Sequence, residues 1–244
     1  MDVIESRKPG RTRHPGERRL PTLHQAASIY QRLHTVYGAR HWWPADTPFE
    51  VMLGAILTQN AAWTNVEKAL TNLKAANALT PRAILDTPQA GLARLIRPSG
   101  YFNQKAARLK RIAGFVIEHG GIEALRALPV EVLRPRLLAI NGVGPETADS
   151  ILLYALNKPV FVIDAYTRRI FSRLGHVKGD ETYEELRDLF ERSLPARDTA
   201  LYNEYHALIV EHAKQHCRVK PVCRSCPVSP DCGYPLIGGS LPVA

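Results

Sequence analysis

Apolar residues recur at intervals of three and four through most of this chain, a rhythm that admits helices and little else. Across residues 23–36 it runs through Ala27, Tyr30 and Leu33. The same spacing predicts helices over 48–57, 63–76, 81–86, 88–96, 103–118, 122–125 and 130–139. It continues over 145–156, 165–174, 183–193 and 198–216. Pro48, Pro81, Pro88 and Pro145 open their segments, where the fixed φ of proline suits a first helical turn. The one β-like run, 160–163, is short and follows a proline. An all-α fold without internal repeats is expected.

Composition constrains the partner. The 244 residues carry 32 Lys and Arg against 23 Asp and Glu, a net charge of +9. Residues 1–19 read as a disordered basic arm rich in Arg, Pro and Gly, with six basic and three acidic side chains. The remainder keeps 26 basic against 20 acidic residues, so the folded body is basic in its own right. Such a surface favours a polyanion, through phosphate neutralisation and counterion release, although solubility alone also profits from charge. No apolar run is long enough to span a membrane, and the opening residues lack the apolar segment of a secretory signal. An intracellular, cytoplasmic protein with no membrane partner is expected.

The most informative local stretch is Leu137-Leu-Ala-Ile-Asn-Gly-Val-Gly-Pro-Glu-Thr-Ala-Asp. One helix ends near Ala139, Gly142 and Gly144 turn the chain, and another helix opens at Pro145. The unpaired N–H groups of that new helix, approached over glycine, form a ready phosphate site. An ordinary helix–helix corner would read the same way. About twenty residues later Val162-Ile163-Asp164 precedes a basic helix, where an aspartate is also a plain N-cap. All four cysteines, Cys217, Cys223, Cys226 and Cys232, cluster near the C-terminus. In a reducing compartment that clustering points to zinc or a [4Fe–4S] cluster rather than disulfides, and spacing alone leaves both open.

The hairpin followed by Val-Ile-Asp before a helix resembles the helix-hairpin-helix DNA glycosylases, the superfamily of endonuclease III. The resemblance implies that the chain binds duplex DNA containing a damaged base, flips that base out and cleaves its bond to the sugar. By the same resemblance Asp164 is catalytic, and Asn141, Gly142, Val143, Gly144 and Thr147 belong to the DNA-binding hairpin. The cysteine loop is similar to the one that carries [4Fe–4S] in endonuclease III relatives, with a first gap one residue shorter, and zinc is the alternative. Strand-cleaving members place a Schiff-base lysine on the helix after the hairpin, where this chain has Glu146. A carboxylate cannot form an imine, so a monofunctional enzyme is expected.

Residues 41–44 (His-Trp-Trp-Pro), 57–63, 97–106 and 148–155 are similar to the 3-methyladenine branch of that superfamily, over about residues 40–176. That likeness implies that Trp43 and Trp63 sandwich the flipped base, with Trp42 and Pro44 shaping the pocket. Gln59 would fill the gap left in the duplex and Tyr101 would wedge the opposite strand. A purine alkylated at N3 or N7 is cationic, and electron-rich indoles attract it by stacking and cation–π contact. It also leaves readily, so one ionised aspartate at a helix N-terminus suffices to support the departing bond.

Three readings compete with an alkylpurine glycosylase: a uracil or mismatched-thymine glycosylase, a glycosylase with lyase activity, and a non-catalytic DNA-structure-binding protein. The expected architecture is two helical domains with a DNA cleft between them. One covers residues 44–157, with the hairpin at about 132–156. The other combines 20–43 with 158–244 and holds the cluster loop 217–232. A monomer associated with a bacterial or archaeal nucleoid is expected.

Overall fold

The computed structural model describes residues 23–40, 42–195 and 197–234. The proposed basic arm, residues 1–19, lies outside them. Among the described residues there are helices and no strand. In chain order they are α1 (Leu23–Tyr37), α2 (Pro48–Leu57), α3 (Trp63–Ala75), α4 (Pro81–Asp86), α5 (Gln89–Leu95) and α6 (Phe102–Glu118). Then follow α7 (Ile122–Ala127), α8 (Val130–Leu138), α9 (Pro145–Ser150), α10 (Ala165–Arg173), α11 (Tyr183–Ser193) and α12 (Thr199–Gln215). None is long and apolar enough to cross a membrane.

Local chemistry explains where these helices begin. Thr47, Thr80, Asp164, Thr182 and Asp198 each turn a side-chain oxygen onto a free N–H of the following first turn. Each such cap contributes about 1 kcal/mol. Thr182 and Glu185 complete a reciprocal capping box. Pro48, Pro81 and Pro145 occupy first-turn positions, whereas Pro88, expected inside its helix, is instead the capping residue before α5. Its backbone is extended at φ −55° and ψ 140°, and α5 begins one residue later than the pattern implied.

The buried side chains form two hydrophobic cores. The first spans Phe49 to Val160 and draws on α2 through α9. The second joins Ala26, Ile29 and Leu33 of α1 to residues of α10, α11 and α12. Rings dominate the second core: Phe190 stacks on Phe161 at 4.6 Å and meets Phe171 edge-on at 4.6 Å. Tyr205, fully buried, donates its hydroxyl to Ala26 O at 2.8 Å and so fastens α12 to α1.

The chain passes between the cores after α9. That helix continues as a wider π turn, Ile151–Ala155, followed by Asn157 in the left-handed region at φ 56°. A π turn rotates side chains away from the α-helical register. Leu152 consequently packs in the first core and Leu153 in the second. Residues 160–163 are extended but pair with no strand. Val160 belongs to the first core, and Phe161, Val162 and Ile163 to the second.

A buried ion network ties the cores beside this crossing. Asp149 on α9 has no exposed surface and accepts two bonds from Arg134 on α8, at 2.7 and 3.1 Å. Glu184 on α11 bonds Arg134 at 2.7 Å and Arg187 at 2.9 Å. Removing one partner of a buried pair strands the other charge, at a cost of about 3–5 kcal/mol. Asp149→Ala is therefore expected to lower the melting temperature by about 10 °C, read by thermal unfolding. A shift under a degree or two would show that the network is not structural.

Candidate active site

A cleft of about 870 Å³ opens between the two cores. Its walls include Trp42, Trp43, Gln59, Trp63, Gly142, Gly144, Thr147 and Asp164, brought together from across 120 residues of sequence. Four other residues singled out from the sequence lie off this wall. Pro44 is exposed, because the chain turns there toward the Thr47 cap of α2. Asn141 faces a separate groove beside Lys110 and Arg111. The Val143 side chain is buried in the first core, leaving only its backbone outward. Tyr101 is 65% exposed at a loop tip.

The hairpin has the backbone that its glycines imply. Gly142 sits at φ 93°, and a Cβ there would run into the Arg108 side chain. Gly144 precedes α9 without any side-chain cap, so the first N–H groups of that helix stay open. Gln59 lies across the hairpin, its Nε2 donating to Gly142 O at 3.0 Å and to Thr147 Oγ1 at 2.9 Å. Arg108 donates to the Gln59 carbonyl in turn.

Lys105 carried no sequence signal, sitting in an otherwise amphipathic helix, yet its side chain is almost completely buried. Its Nζ donates to Leu57 O at 2.8 Å and to Ser99 O at 2.7 Å. It thus ties the end of α2, just before Gln59, to the turn just before Tyr101. Burial lowers its pKa to about 8. Tyr101 itself holds φ 44°, a left-handed conformation that a bulky residue rarely adopts.

The three tryptophans form a contiguous aromatic wall. Trp42 lies 5.9 Å from Trp43 and 5.7 Å from Trp63, and Trp43 meets Trp63 edge-on at 5.2 Å and 84°. A base stacked between two parallel rings needs them about 7 Å apart, two van der Waals layers. The expected sandwich of Trp43 and Trp63 is thus not preformed, because the rings fill the space with their own edge-to-face contact. Trp43 lies against α2 at Gly54, where a Cβ would come within 3.0 Å of its Cζ2. Its indole N–H is buried without a hydrogen-bond partner. Trp63 donates to Glu67 at 2.8 Å, and Lys214 Nζ lies 5.5 Å from the Trp42 ring centre.

Asp164 caps α10 at the inner end of the cleft. Its Oδ1 accepts from Thr167 N at 2.7 Å and Thr167 Oγ1 at 2.8 Å. Its Oδ2 faces His206 Nε2 at 3.5 Å. Burial raises the pKa of this carboxyl, but His206 and the Thr167 donors outweigh it, leaving the group below its ordinary value. Glu146, in the first turn of α9, also lines the cleft. The surrounding protein and Asp164 push it up to about 7, against a smaller opposing pull from His206. Two carboxyls with separated pKa values therefore share one cleft. His206 was not legible in the sequence: it lies 42 residues beyond Asp164, on α12, and the local pattern there is that of any packed helix.

The four cysteines, none in a disulfide, line one apolar cavity with Arg173, His212 and His216. Arg173 on α10 donates to Cys217 Sγ at 3.4 Å, Arg218 O at 2.6 Å and Val219 O at 3.0 Å, so it shapes the loop. Burial, with the charge of the other cysteines, raises the Cys226 and Cys232 thiols. Among the described residues no three such donors converge as tightly as around a single ion.

A family model for the HhH-GPD superfamily of base excision DNA repair proteins matches residues 53–196. A Methanocaldococcus jannaschii protein provisionally named a DNA repair glycosylase is 50% identical, over 84% of this chain and 94% of its own. Endonuclease III of Sulfolobus acidocaldarius is 30% identical, over 77% of this chain and 82% of its own. The solved structure of H. pylori 3-methyladenine DNA glycosylase bound to 1,N6-ethenoadenine has a TM-score of 0.69 at 32% identity. That match covers 78% of this chain and 97% of the other. With the hairpin, the cleft and the capping aspartate in one all-helical fold, this chain belongs to the HhH-GPD superfamily as a base-excision DNA glycosylase related to endonuclease III.

Proposed function

We propose that the chain is a monofunctional glycosylase that releases alkylated purines, such as 3-methyladenine and 7-methylguanine, from duplex DNA. The observation that carries this reading is an indole wall and an ionised aspartate in the same cleft, with a carboxyl at position 146 where an imine-forming amine would stand. A purine methylated at N3 or N7 carries positive charge on its ring. Each indole face that meets it contributes about 1 kcal/mol or more. Because the tryptophans already touch one another, Trp63 swings from its edge-on contact to admit the base.

The reaction follows from the charges. The electron pair of the glycosidic bond returns to the base, which leaves neutral, and positive charge develops on the sugar. Asp164 stabilises that charge and orients the water whose oxygen joins the anomeric carbon, and the proton this water sheds passes through the carboxylate to solvent. No acid is needed to expel a base that is already cationic. Extrusion costs a few kcal/mol of unstacking, and Gln59 and Tyr101 are proposed to offset it by filling the duplex. The hairpin backbone from Asn141 to Gly144, with Thr147, is proposed to hold the phosphates.

A division into two domains, residues 44–157 and residues 20–43 with 158–244, is proposed, and the two cores flanking one cleft support it. Cys217, Cys223, Cys226 and Cys232 are proposed to hold a [4Fe–4S] cluster, since four free thiols line one apolar cavity. Bound there, the cluster would cross-link the C-terminal loop to α10 and α12, and hydrolysis of this bond asks no electron of it.

Incubation with duplex carrying 7-methylguanine is expected to liberate free base, and Asp164→Asn to slow release at least 100-fold. Absence of release by the native protein from both methylated purines would remove the substrate assignment. Borohydride trapping on abasic DNA is expected to give no covalent adduct. Lys214, the lysine among the cleft-lining residues, is the one to replace should an adduct appear.

Glu146 supplies a pH test. A carboxyl whose pKa is raised to about 7 is neutral below that pH and adds a second negative charge to the cleft above it. The affinity for a duplex with a cationic base, relative to undamaged duplex, is expected to increase between pH 6 and 8. That increase should disappear in Glu146→Gln. A ratio independent of pH in the native protein would exclude Glu146 from the base site.

A further inference from the structure

We propose that His206 is the positioning residue for Asp164, presenting an N–H to the second carboxylate oxygen, and that Tyr154 dictates which imidazole nitrogen carries that hydrogen. The inference rests on the reading of Asp164 as the group that supports base release, and it concerns residues outside the recognised site pattern.

The two oxygens of Asp164 are treated differently. Both Thr167 donors go to Oδ1, which leaves Oδ2 to His206, whose Nε2 stands 3.5 Å away. His206 is 7% exposed, and its Nε2 is buried with no aligned hydrogen-bond partner. A buried ring nitrogen with a carboxylate oxygen before it has one productive use, to carry hydrogen toward that oxygen. The other nitrogen, Nδ1, lies 2.5 Å from the Tyr154 hydroxyl. Tyr154 stands in the π turn, at the place where the chain leaves the first core, and its ring lies 5.2 Å from Trp43. π turns recur at functional sites because they redirect one side chain without ending the helix.

The tautomer follows from the tyrosine. Burial, with Asp164 nearby, holds the Tyr154 hydroxyl well above its ordinary pKa, so it keeps its proton. When the imidazole is neutral, that O–H donates to Nδ1 and the ring hydrogen must reside on Nε2. When the imidazole is charged, Nδ1–H donates to the tyrosine oxygen and Nε2 still carries hydrogen. In both states an N–H faces Asp164. Without Tyr154 the neutral ring is free to turn a lone pair toward the carboxylate, which burial then drives toward protonation. The titratable groups around Asp164 are Glu146 on α9, Tyr154 in the π turn and His206 on α12, with Tyr183 on α11 beyond Glu146. Glu146 opposes the effect of His206 and must be controlled for.

The test has two arms. In the first, 15N NMR of the histidine rings is followed from pH 5 to 8. His206 is expected as the Nε2–H tautomer or the imidazolium throughout, and Tyr154→Phe is expected to admit the Nδ1–H tautomer. An Nδ1–H tautomer in the native protein overturns the proposal, whatever the substrate is. In the second, single-turnover release of 7-methylguanine is measured against pH, with duplex affinity followed by anisotropy. His206→Phe is expected to slow release about 10- to 100-fold at unchanged Kd. Its acid limb should move up by about one pH unit, in the Glu146→Gln background as well. His206→Gln, which keeps an amide N–H, is expected to recover part of the rate. A rate within twofold of native, or a loss of rate with the acid limb in place, overturns the proposal. Native-like release by Asp164→Asn would instead sink the reading of the site itself, with the NMR arm still deciding the role of His206.

Discussion

Everything about the site depends on how the chain crosses from one hydrophobic core to the other between Ile151 and Asp164. Adjacent residues there serve opposite masters: Leu152 and Val160 bury in the first core, Leu153 and Phe161 in the second. The π turn lies at this crossing and shifts the register of the side chains that follow it. The extended residues 160–163 then anchor at both ends, and Tyr183 accepts the Ile163 N–H at 3.3 Å. Val162 and Asp164 of this segment both line the cleft, and Asp164 is the carboxylate it carries there. The packing of two cores thus fixes the position of the carboxylate on which the proposed chemistry rests.

Electrostatics act on two length scales here. At long range the chain is basic, with +9 overall, which draws it to the DNA polyanion and makes binding sensitive to salt. Inside the cleft the sign reverses, with Asp164 held ionised and Glu146 poised to join it. A locally acidic cleft beneath a basic exterior is the charge arrangement on which the proposed cationic substrate rests.

The loops beside the cleft are held by polar side chains, of which Lys105 is almost completely buried. Lys105 fixes the end of α2 to the turn before Tyr101, and Gln59 with Arg108 lies across the hairpin. A buried ammonium costs desolvation energy, so it persists where two carbonyls at a helix end and a turn would otherwise lack donors. The end of α2 and the turn before Tyr101 are therefore both held by one side chain of α6. The edge-to-face tryptophans are the part of the wall left to rearrange when a base arrives.

Helix positions were legible in the sequence because their causes are local: the apolar repeat, threonine and aspartate caps, and prolines in first turns. The same holds for Gly142, whose left-handed backbone is a property of one residue, and for the four clustered cysteines. Asp164 could be named because capping a helix is itself a local act. The rest was decided by packing across long separations. Pro88 became a cap and Pro44 faced solvent because of the path of the neighbouring chain. The tryptophans met edge-on because three indoles shared one small space. Lys105 and His206 found their partners through helix packing that leaves no periodic mark on the sequence. Spacing along a chain encodes which face of a helix is apolar; only the assembled cores determine which polar group is brought across to meet which.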